Sequence, residues 1–299
     1  MKKILCLGSN SFTGYHFKDF IQKHKLYEKY AICGVDKDDY YYSHFKWIWY
    51  EKVNPLDKDS LKNIIVSFKP NYLINMIGTF QAVSFDEYYQ LNANISRNIF
   101  EIIIENNIVI EKILLIGSAA EYGNARQLPV RESSPAAPVN LYGFSKLIQT
   151  EIAQYYFNNL GINVNVARTF NIIGKGISRK LAVGNFIEQI NNAKDGDIIK
   201  VGNIKPKRDY LHIADVVEAY WQILMNGYPG EIYNVCSSVS LSMEEILTNL
   251  MNMAGKKLYF EIDDSLIKNN DISDIYGDNS KLISHTPWSP KKDLFSDLF

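Results

Sequence analysis

Short apolar runs alternate with longer stretches of helical periodicity through about the first 170 residues of this 299-residue chain. The apolar runs are continuous, which is typical of parallel strands covered on both faces. They predict strands at Lys3–Leu7, Tyr30–Val35, Tyr72–Met76, Lys112–Ile116 and Asn163–Ala167. The intervening stretches predict helices at Gly14–Lys25, Lys58–Phe68, Phe85–Asn106 and Leu141–Leu160. This order predicts an α/β fold built on a doubly wound parallel sheet, the Rossmann arrangement.

The pattern changes after about residue 170. The elements become shorter, Pro and Gly interrupt them more often, and two further helices are predicted at Ile213–Met225 and Ser242–Ala254. We therefore expect a Rossmann domain at residues 1–170 and a smaller C-terminal domain at residues 171–299, with the option that segments of the second return to the first.

Composition excludes several classes of partner. Lys and Arg number 32 against 33 Asp and Glu, so the chain has no basic excess that would favour nucleic acid or an anionic membrane. The three cysteines and five histidines are scattered, without the spacing of a disulfide framework or a metal site. No apolar stretch approaches the roughly 20 residues of a membrane helix. We expect a cytoplasmic enzyme or binding protein without a metal.

A glycine-containing turn follows the first predicted strand. Gly8 and Gly14 enclose the sequence Ser-Asn-Ser-Phe-Thr and lead into a predicted helix. Such a strand–turn–helix lets backbone N–H groups approach a pyrophosphate at the positive end of the helix. Ser11 stands where a middle glycine is usual and leaves less room. The turn predicts a dinucleotide site formed by Gly8, Asn10, Ser11, Phe12, Thr13 and Gly14.

The end of the second predicted strand indicates which dinucleotide binds. The carboxylate of Asp36 would accept hydrogen bonds from the adenosine ribose hydroxyls and repel a 2′-phosphate. NAD(H) is therefore the favoured cofactor. NADP(H) stays open because Lys37 follows directly.

Three residues form a candidate catalytic group. Tyr142 and Lys146 are four apart on one face of a predicted helix, and a nearby ammonium lowers the pKa of a phenol. Ser118 follows the fourth predicted strand, at the sheet edge where ligands of such folds bind. A second pair with this spacing, Tyr42 and Lys46, lies in an aromatic stretch away from that edge.

Motifs along nearly the whole chain resemble the extended short-chain dehydrogenase/reductase family, in its NAD-dependent epimerase/dehydratase group. Besides the glycine turn they are NANISRN around Asn92, GSAAEYG at 117–123, LYGFSK at 141–146, RTFNIIGKG at 168–176, VGNIKPKRDYLHIADVVEAY at 201–220, GEIYNVCS at 230–237 and GDNSKL…TPWSP at 277–290. The sequence is most similar to GDP-4-keto-6-deoxy-mannose reductases and their dehydratase relatives.

The resemblance implies roles for individual residues. Ser118, Tyr142 and Lys146 match the family triad, in which Tyr is the acid or base and Lys also holds the nicotinamide ribose. Cofactor contacts are implied for Asn54, Met76, Ile77 and Gly78, and substrate contacts for Ser118, Asn171, Asn185 and Arg208. A nucleotide-linked sugar is the implied substrate, with GDP favoured as the nucleotide.

One departure from the family selects among its reactions. The 4,6-dehydratases need a carboxylate two residues after the triad Ser or Thr, and that position is Ala120 here. Glu121 is one place further on and is expected to point elsewhere. We therefore expect an NAD(P)H-dependent 4-keto reductase of a nucleotide-linked deoxy sugar. The alternatives are a C4 epimerase or oxidase with tightly bound NAD, and a non-catalytic dinucleotide-binding regulatory subunit.

The resemblance also implies a homodimer that pairs the helices near 85–107 and 141–160. An apolar face carrying Ile95, Ile99, Ile102 and Ile103 fits such a contact. Burial inside one subunit explains that face equally well.

Overall fold

A computed structural model describes residues 1–39, 45–267 and 272–299. Its strands are β1 (Lys2–Leu7), β2 (Tyr30–Asp36), β3 (Trp49–Lys52), β4 (Tyr72–Asn75), β5 (Lys112–Ser118), β6 (Val164–Thr169), β7 (Asn171–Ile173), β8 (Ile198–Val201), β9 (Lys207–His212), β10 (Ile232–Val235), β11 (Ser240–Ser242), β12 (Tyr259–Ile262) and β13 (Asp274–Ile275). Its α-helices are α1 (Phe12–Lys23), α2 (Lys58–Phe68), α3 (Phe85–Tyr89), α4 (Ile95–Glu105), α5 (Leu141–Leu160), α6 (Ala182–Asn192), α7 (Ile213–Asn226), α8 (Met243–Met253) and α9 (Ser280–His285).

The main sheet has seven strands in the order β10-β6-β5-β4-β1-β2-β3, and every neighbouring pair is parallel. The prediction of a doubly wound α/β fold is confirmed. The strand order reverses between β1 and β4. A crevice at the carboxyl ends of these two strands is where such sheets bind ligands.

Both faces of this sheet are covered. Helices α1 and α7 pack on one face, and α2, α4 and α5 pack on the other. Strand β5 shows why the predicted strands read as continuous apolar runs. Leu114 packs in the core on the α1 side, while Ile113 and Leu115 pack in the core on the opposite side. Each successive residue is therefore buried, on one face or the other.

In the first 170 residues the structure departs from the predicted elements mainly in two places, and beyond residue 170 only α7 and α8 correspond to predicted elements. The sequence missed β3, because Trp49–Lys52 is a half-polar strand at the sheet edge and carries no continuous apolar run. The single helix predicted at Phe85–Asn106 is interrupted by a π-helical turn at Gln90–Asn94. Helical periodicity predicts that a stretch is helical, but it does not reveal a local widening of the helix.

The C-terminal part is built around β9, which pairs with β7, β11 and β13, while β8 pairs with β12. Helices α6 and α8 cover a separate apolar core in this region. Strand β10 and helix α7 instead belong to the main sheet and its covering layer. The division into domains at residue 170 stays a prediction.

The apolar face of α4 is buried within the chain. Ile95, Ile99, Ile102 and Ile103 are at most 2% exposed and pack in the core between α4 and the sheet. The face therefore needs no second subunit to cover it, and the homodimer stays a prediction. Within the described ranges no helix combines the length and the apolar character needed to cross a membrane.

Candidate active site

The turn between β1 and α1 is shaped by two glycines. Gly8 has a φ of +78°, and a Cβ there would lie 2.9 Å from the backbone carbon of Met76. A Cβ on Gly14 would lie 2.3 Å from the carbonyl oxygen of Gly8. Both positions therefore require glycine, and β1, β4 and α1 approach closely around the crevice.

Ser11, in place of the usual middle glycine, belongs to the turn itself. Its hydroxyl donates to the Gly8 carbonyl at 2.6 Å and accepts the N–H of Gly14 at 3.1 Å, so it caps the start of α1. The side chain is thus held back against the turn by hydrogen bonds. The strand–turn–helix cradle keeps its shape although the glycine is missing.

A cavity of about 590 Å³ opens at the carboxyl ends of the central strands. The predicted site residues in its lining are Ser11, Phe12, Thr13, Met76, Ile77, Gly78, Ser118, Tyr142, Lys146, Asn171 and Arg208. Its wall includes Ala119 and Ala120, and none of the lining residues within the described ranges is an Asp or a Glu. Among the lining residues that the structure describes, Lys146 and Arg208 have charged side chains.

The first turn of α5 brings Tyr142 next to Ser118. Asn140 caps the helix by accepting the N–H of Gly143 at 2.8 Å. A Cβ on Gly143 would lie 2.4 Å from the carbonyl oxygen of Ala120. Glycine at this position therefore lets the helix touch the turn that follows β5. The hydroxyl of Ser118 interacts with the phenol of Tyr142 across this contact.

The pKa of the Tyr142 phenol is raised in the structure, contrary to the expectation that Lys146 lowers it. Removal from solvent is the largest cause of the rise, the Ser118 hydroxyl opposes it, and the charge of Glu121 adds to it. The ammonium of Lys146 instead donates to the carbonyl of Ile116 at 2.8 Å and to the side-chain oxygen of Gln149 at 3.1 Å. The phenol is therefore protonated at neutral pH.

Lys146 is nearly fully buried, and burial lowers the pKa of its ammonium to about 8, against a smaller opposing effect of Glu121. Its partner Gln149 is also buried and donates to Ser96 at 3.0 Å. Gln149 was not predicted as a site residue. Its position one helical turn after Lys146 was a signal that could have identified it.

The π-helical turn places Asn92 behind the cavity wall. The Asn92 amide accepts the N–H of Thr79 at 2.7 Å and donates to the carbonyl of Thr79 and the hydroxyl of Ser145. A Cβ on Gly78 would lie 3.0 Å from Asn92 and 3.1 Å from the Lys146 nitrogen. The wall that follows β4 is therefore fitted directly against the lysine.

The residues predicted to bind the adenosine end of the cofactor do not line the cavity. Asp36 accepts the backbone N–H groups of Asn10 and Lys37, both at 2.9 Å. The carboxylate is thereby tied to the glycine turn. The side chain of Asn54 accepts the N–H of Leu56 at 3.2 Å. The cofactor contacts of Asn10, Asp36 and Asn54 stay predictions.

The predicted substrate residues are divided between two places. Asn171 and Arg208 line the cavity, where Asn171 donates to the Asp209 carbonyl and Arg208 donates to the Ile272 carbonyl at 2.6 Å. Asn185 lies in α6, where its side chain accepts from Gln189, and it does not line the cavity. Of the second Tyr–Lys pair, Tyr42 lies outside the described residues.

Comparison with protein families gives a match over most of the chain. Residues 4–236 match the family described as the NAD dependent epimerase/dehydratase family. The resemblance predicted from the motifs is confirmed.

Individual relatives are nucleotide-sugar enzymes. GDP-6-deoxy-D-mannose reductase of Pseudomonas aeruginosa is 31% identical over 183 residues, 60% of either chain. GDP-6-deoxy-D-talose 4-dehydrogenase of Aggregatibacter actinomycetemcomitans is 22% identical over 94% of this chain and 90% of its own. The solved structure of RMD from Pseudomonas aeruginosa, complexed with NADPH, shares the fold with a TM-score of 0.83 at 23% identity, covering 98% of this chain and 96% of that one.

Proposed function

The chain belongs to the NAD dependent epimerase/dehydratase family, and on that premise we propose that it is an NAD(P)H-dependent 4-keto reductase of a nucleotide-linked 6-deoxy sugar. The observation that carries the proposal is the composition of the cavity wall. Ser118, Tyr142 and Lys146 line it together, and the turn after Ser118 contributes Ala119 and Ala120 where a dehydratase needs a carboxylate. An alanine cannot remove the C5 proton that water elimination requires.

The residues around the crevice fit a dinucleotide. Gly8 and Gly14 keep the backbone of the turn open where a Cβ would collide, and α1 begins beside it. The turn residues would hold the pyrophosphate, and Met76, Ile77 and Gly78, which line the cavity, would contact the same dinucleotide. When bound, the reduced cofactor supplies a hydride to the carbonyl carbon.

The chain's own part in the reduction is to deliver one proton and to hold the carbonyl. Tyr142 donates its phenolic proton to the oxygen on C4, which a protonated phenol is able to do at neutral pH. Ser118 orients the same oxygen through its hydroxyl. Lys146 lines the same cavity and would hold the nicotinamide ribose, as the resemblance to the family implies.

Two cavity residues suit the nucleotide diphosphate. The guanidinium of Arg208 and the amide of Asn171 line the end of the cavity formed by β7 and β9. Guanidinium groups form charge-assisted hydrogen bonds with phosphate oxygens. GDP is the favoured nucleotide, since both curated relatives described above are named for GDP-linked 6-deoxy sugars.

NAD(H) is the proposed cofactor, with NADP(H) as the alternative. Asp36 would accept the ribose hydroxyls and disfavour a 2′-phosphate, which supports NAD(H). The NADPH bound by RMD supports the alternative. We also propose that the enzyme works in the cytoplasm and that it forms a homodimer. Sedimentation of the purified chain tests the homodimer.

A second candidate begins with oxidation at C4 of the sugar. A C4 dehydrogenase would stop at the ketone, whereas a C4 epimerase would reduce the ketone again to the other alcohol. The match to GDP-6-deoxy-D-talose 4-dehydrogenase over 94% of this chain favours it. An epimerase that keeps NAD bound would carry the dinucleotide through purification. A reductase that exchanges its cofactor would be purified without it.

The test supplies the purified protein with GDP-, dTDP- and UDP-linked 4-keto-6-deoxy sugars and either reduced cofactor, and follows the absorbance of the reduced nicotinamide. We expect consumption of cofactor together with formation of the C4 alcohol, most rapidly with GDP. GDP-mannose, which lacks the keto group, is the matched control. No turnover with any of the three nucleotides would contradict the proposal. Dinucleotide binding without turnover would instead favour a regulatory subunit.

A further inference from the structure

Glu121 lies beside the cavity with its side chain fully buried. One oxygen accepts the backbone N–H of Ser118 at 2.8 Å. The other accepts the hydroxyl of Thr150 at 2.8 Å and the side-chain N–H of Arg168 at 2.7 Å. The carboxylate therefore joins the end of β5, the helix α5 and the strand β6 directly behind the cavity wall.

The donors around this carboxyl group indicate that it is ionised. The Ser118 amide and the Arg168 guanidinium can only donate, and each approaches a different oxygen of Glu121. A proton on either oxygen would face one of these donors. Burial raises the pKa of Glu121, and the charge of Arg168, with the hydrogen bonds, acts against that rise.

The local backbone is fitted to this carboxylate. A Cβ on Gly117 would lie 2.7 Å from the Glu121 oxygen that holds Ser118. The Ser118 hydroxyl accepts the N–H of Ala120 at 3.2 Å, so Ser118 and Glu121 form a reciprocal cap on the short turn Ala119–Glu121. The position of the Ser118 hydroxyl therefore depends on Glu121.

We propose that Glu121 is a positioning residue of the active site, whose buried carboxylate holds the backbone of Ser118 and so fixes the hydroxyl that orients the substrate carbonyl. This inference rests on the proposed function, because it assigns Glu121 a role in the carbonyl reduction through Ser118. The carboxylate does not line the cavity and exchanges no proton with substrate.

The other charged and titratable groups around these residues can be named. Lys146 follows the phenol on α5, the Tyr88 ring on α3 lies 6.3 Å from the Tyr142 ring, and Tyr220 faces it from α7. Around Glu121 lie Arg168 on β6 and the Tyr122 ring, which the guanidinium covers at 4.8 Å. Glu132 acts on Tyr122 from farther away. Burial is the largest influence on both groups, since it raises the pKa of Tyr142 and lowers that of Lys146, and the charge of Glu121 adds a smaller upward contribution to each.

The decisive experiment follows hydrogen exchange at the backbone amide of Ser118 by NMR in full-length protein labelled with nitrogen-15 at serine, without substrate or cofactor. Ser118→Ala identifies the resonance by its loss. In Glu121→Gln the charged acceptor of this amide is removed, and we expect the amide to exchange faster than in the wild type. Thr150→Val is the matched control, because it removes one hydrogen bond of Glu121 and leaves the bond to Ser118 in place. Its Ser118 amide is expected to exchange at the wild-type rate.

A paired variant keeps the test decisive if Glu121→Gln alone fails to fold with Arg168 left unpaired. Glu121→Gln combined with Arg168→Gln removes both buried charges and retains groups that hydrogen-bond to each other. A folded variant whose Ser118 amide exchanges as slowly as in the wild type would overturn the inference.

Steady-state kinetics supply a second readout, because kcat and KM can change separately. We expect Glu121→Gln to lower kcat by up to about 10²-fold, since a displaced Ser118 misaligns the reacting carbonyl, and to leave the KM of the nucleotide sugar near its wild-type value. A change in KM alone would contradict a positioning role. If the wild type shows no turnover, the proposed function fails, while hydrogen exchange at the Ser118 amide still tests whether Glu121 holds Ser118.

Discussion

The glycine turn after β1 and the wall formed by the end of β5 and the start of α5 border the same cavity but are built differently. In the turn, close backbone contacts leave no room for a Cβ at Gly8 or Gly14. In the wall, the geometry rests on buried side chains, among them Glu121 and Lys146. The turn is thus sensitive to added atoms, whereas the wall is sensitive to changes of charge and hydrogen bonding.

The largest expected effect is in the wall. Tyr142→Phe removes the proposed proton donor, and we expect turnover to fall by about 10³-fold, within the range of general acid catalysis. Tyr88→Phe is the control, because its hydroxyl donates to the Phe80 carbonyl and its ring lies 6.3 Å from that of Tyr142. Steady-state kinetics measure both, and cofactor affinity should survive in each. An active Tyr142→Phe variant would remove the phenol from the mechanism.

Lys146→Met tests how much the burial of a charged ammonium in the cavity wall destabilises the native protein. Burial lowers the pKa of Lys146 to about 8 from an ordinary value of 10.5, so the unfolded chain binds more protons between these two values. The ammonium therefore destabilises the native protein fully below about pH 8, and this cost fades as the pH rises toward 10.5. The unfolding free energy of Lys146→Met minus that of the wild type should therefore fall by about 3 kcal/mol as the pH rises from about 8 to 10.5.

Denaturant unfolding at a series of pH values measures this difference, since groups common to both proteins cancel. Lys62→Met, on helix α2 away from the cavity, serves as the control. A difference between Lys146→Met and wild type that is independent of pH would show that the buried lysine titrates normally.

Gly14→Ala tests the turn. The new Cβ would lie 2.3 Å from a backbone oxygen, which cannot rotate away as a side chain would. We expect a loss of about 2 kcal/mol in unfolding free energy, typical of overpacking, together with weaker cofactor binding. Gly161→Asn is the control, since that glycine has a φ of +67° with nothing within 4 Å, and asparagine tolerates this conformation. Equal stability of the Gly14 variant and wild type would contradict the close contact.

The smallest effect is expected at the adenosine end of the turn. Asp36→Asn keeps an acceptor for the Asn10 N–H and removes the charge that would face a 2′-phosphate. Preference for NADPH over NADH, measured as the ratio of kcat/KM values, should rise by about tenfold, as expected for one partly solvated charge. Asp39→Asn, whose carboxylate pairs with Lys52, is the control. An unchanged ratio would remove Asp36 from cofactor selection.

Much of the fold could be predicted because the sheet is buried on both faces, and its strands therefore stand out as apolar runs. The bounds of α2 and α5 were predicted as the structure has them. The edge strand β3 and the interruption at Gln90–Asn94 could not be predicted, since neither changes the apolar pattern. For the site, motif spacing identified Tyr142 and Lys146, but it gave the wrong direction for the phenol pKa. That direction depends on solvent exclusion and on Glu121, which are set by the three-dimensional packing.

The central claim is that this cavity reduces a sugar ketone at C4 with Tyr142 as the proton donor. The most direct measurement is one turnover of a GDP-linked 4-keto-6-deoxy sugar with a nicotinamide cofactor that carries deuterium at the transferable position. The account predicts an alcohol with one deuterium on C4 from the wild type, formed about 10³-fold more slowly by Tyr142→Phe. A product without deuterium at C4, or elimination of water from a GDP-linked hexose, would contradict it.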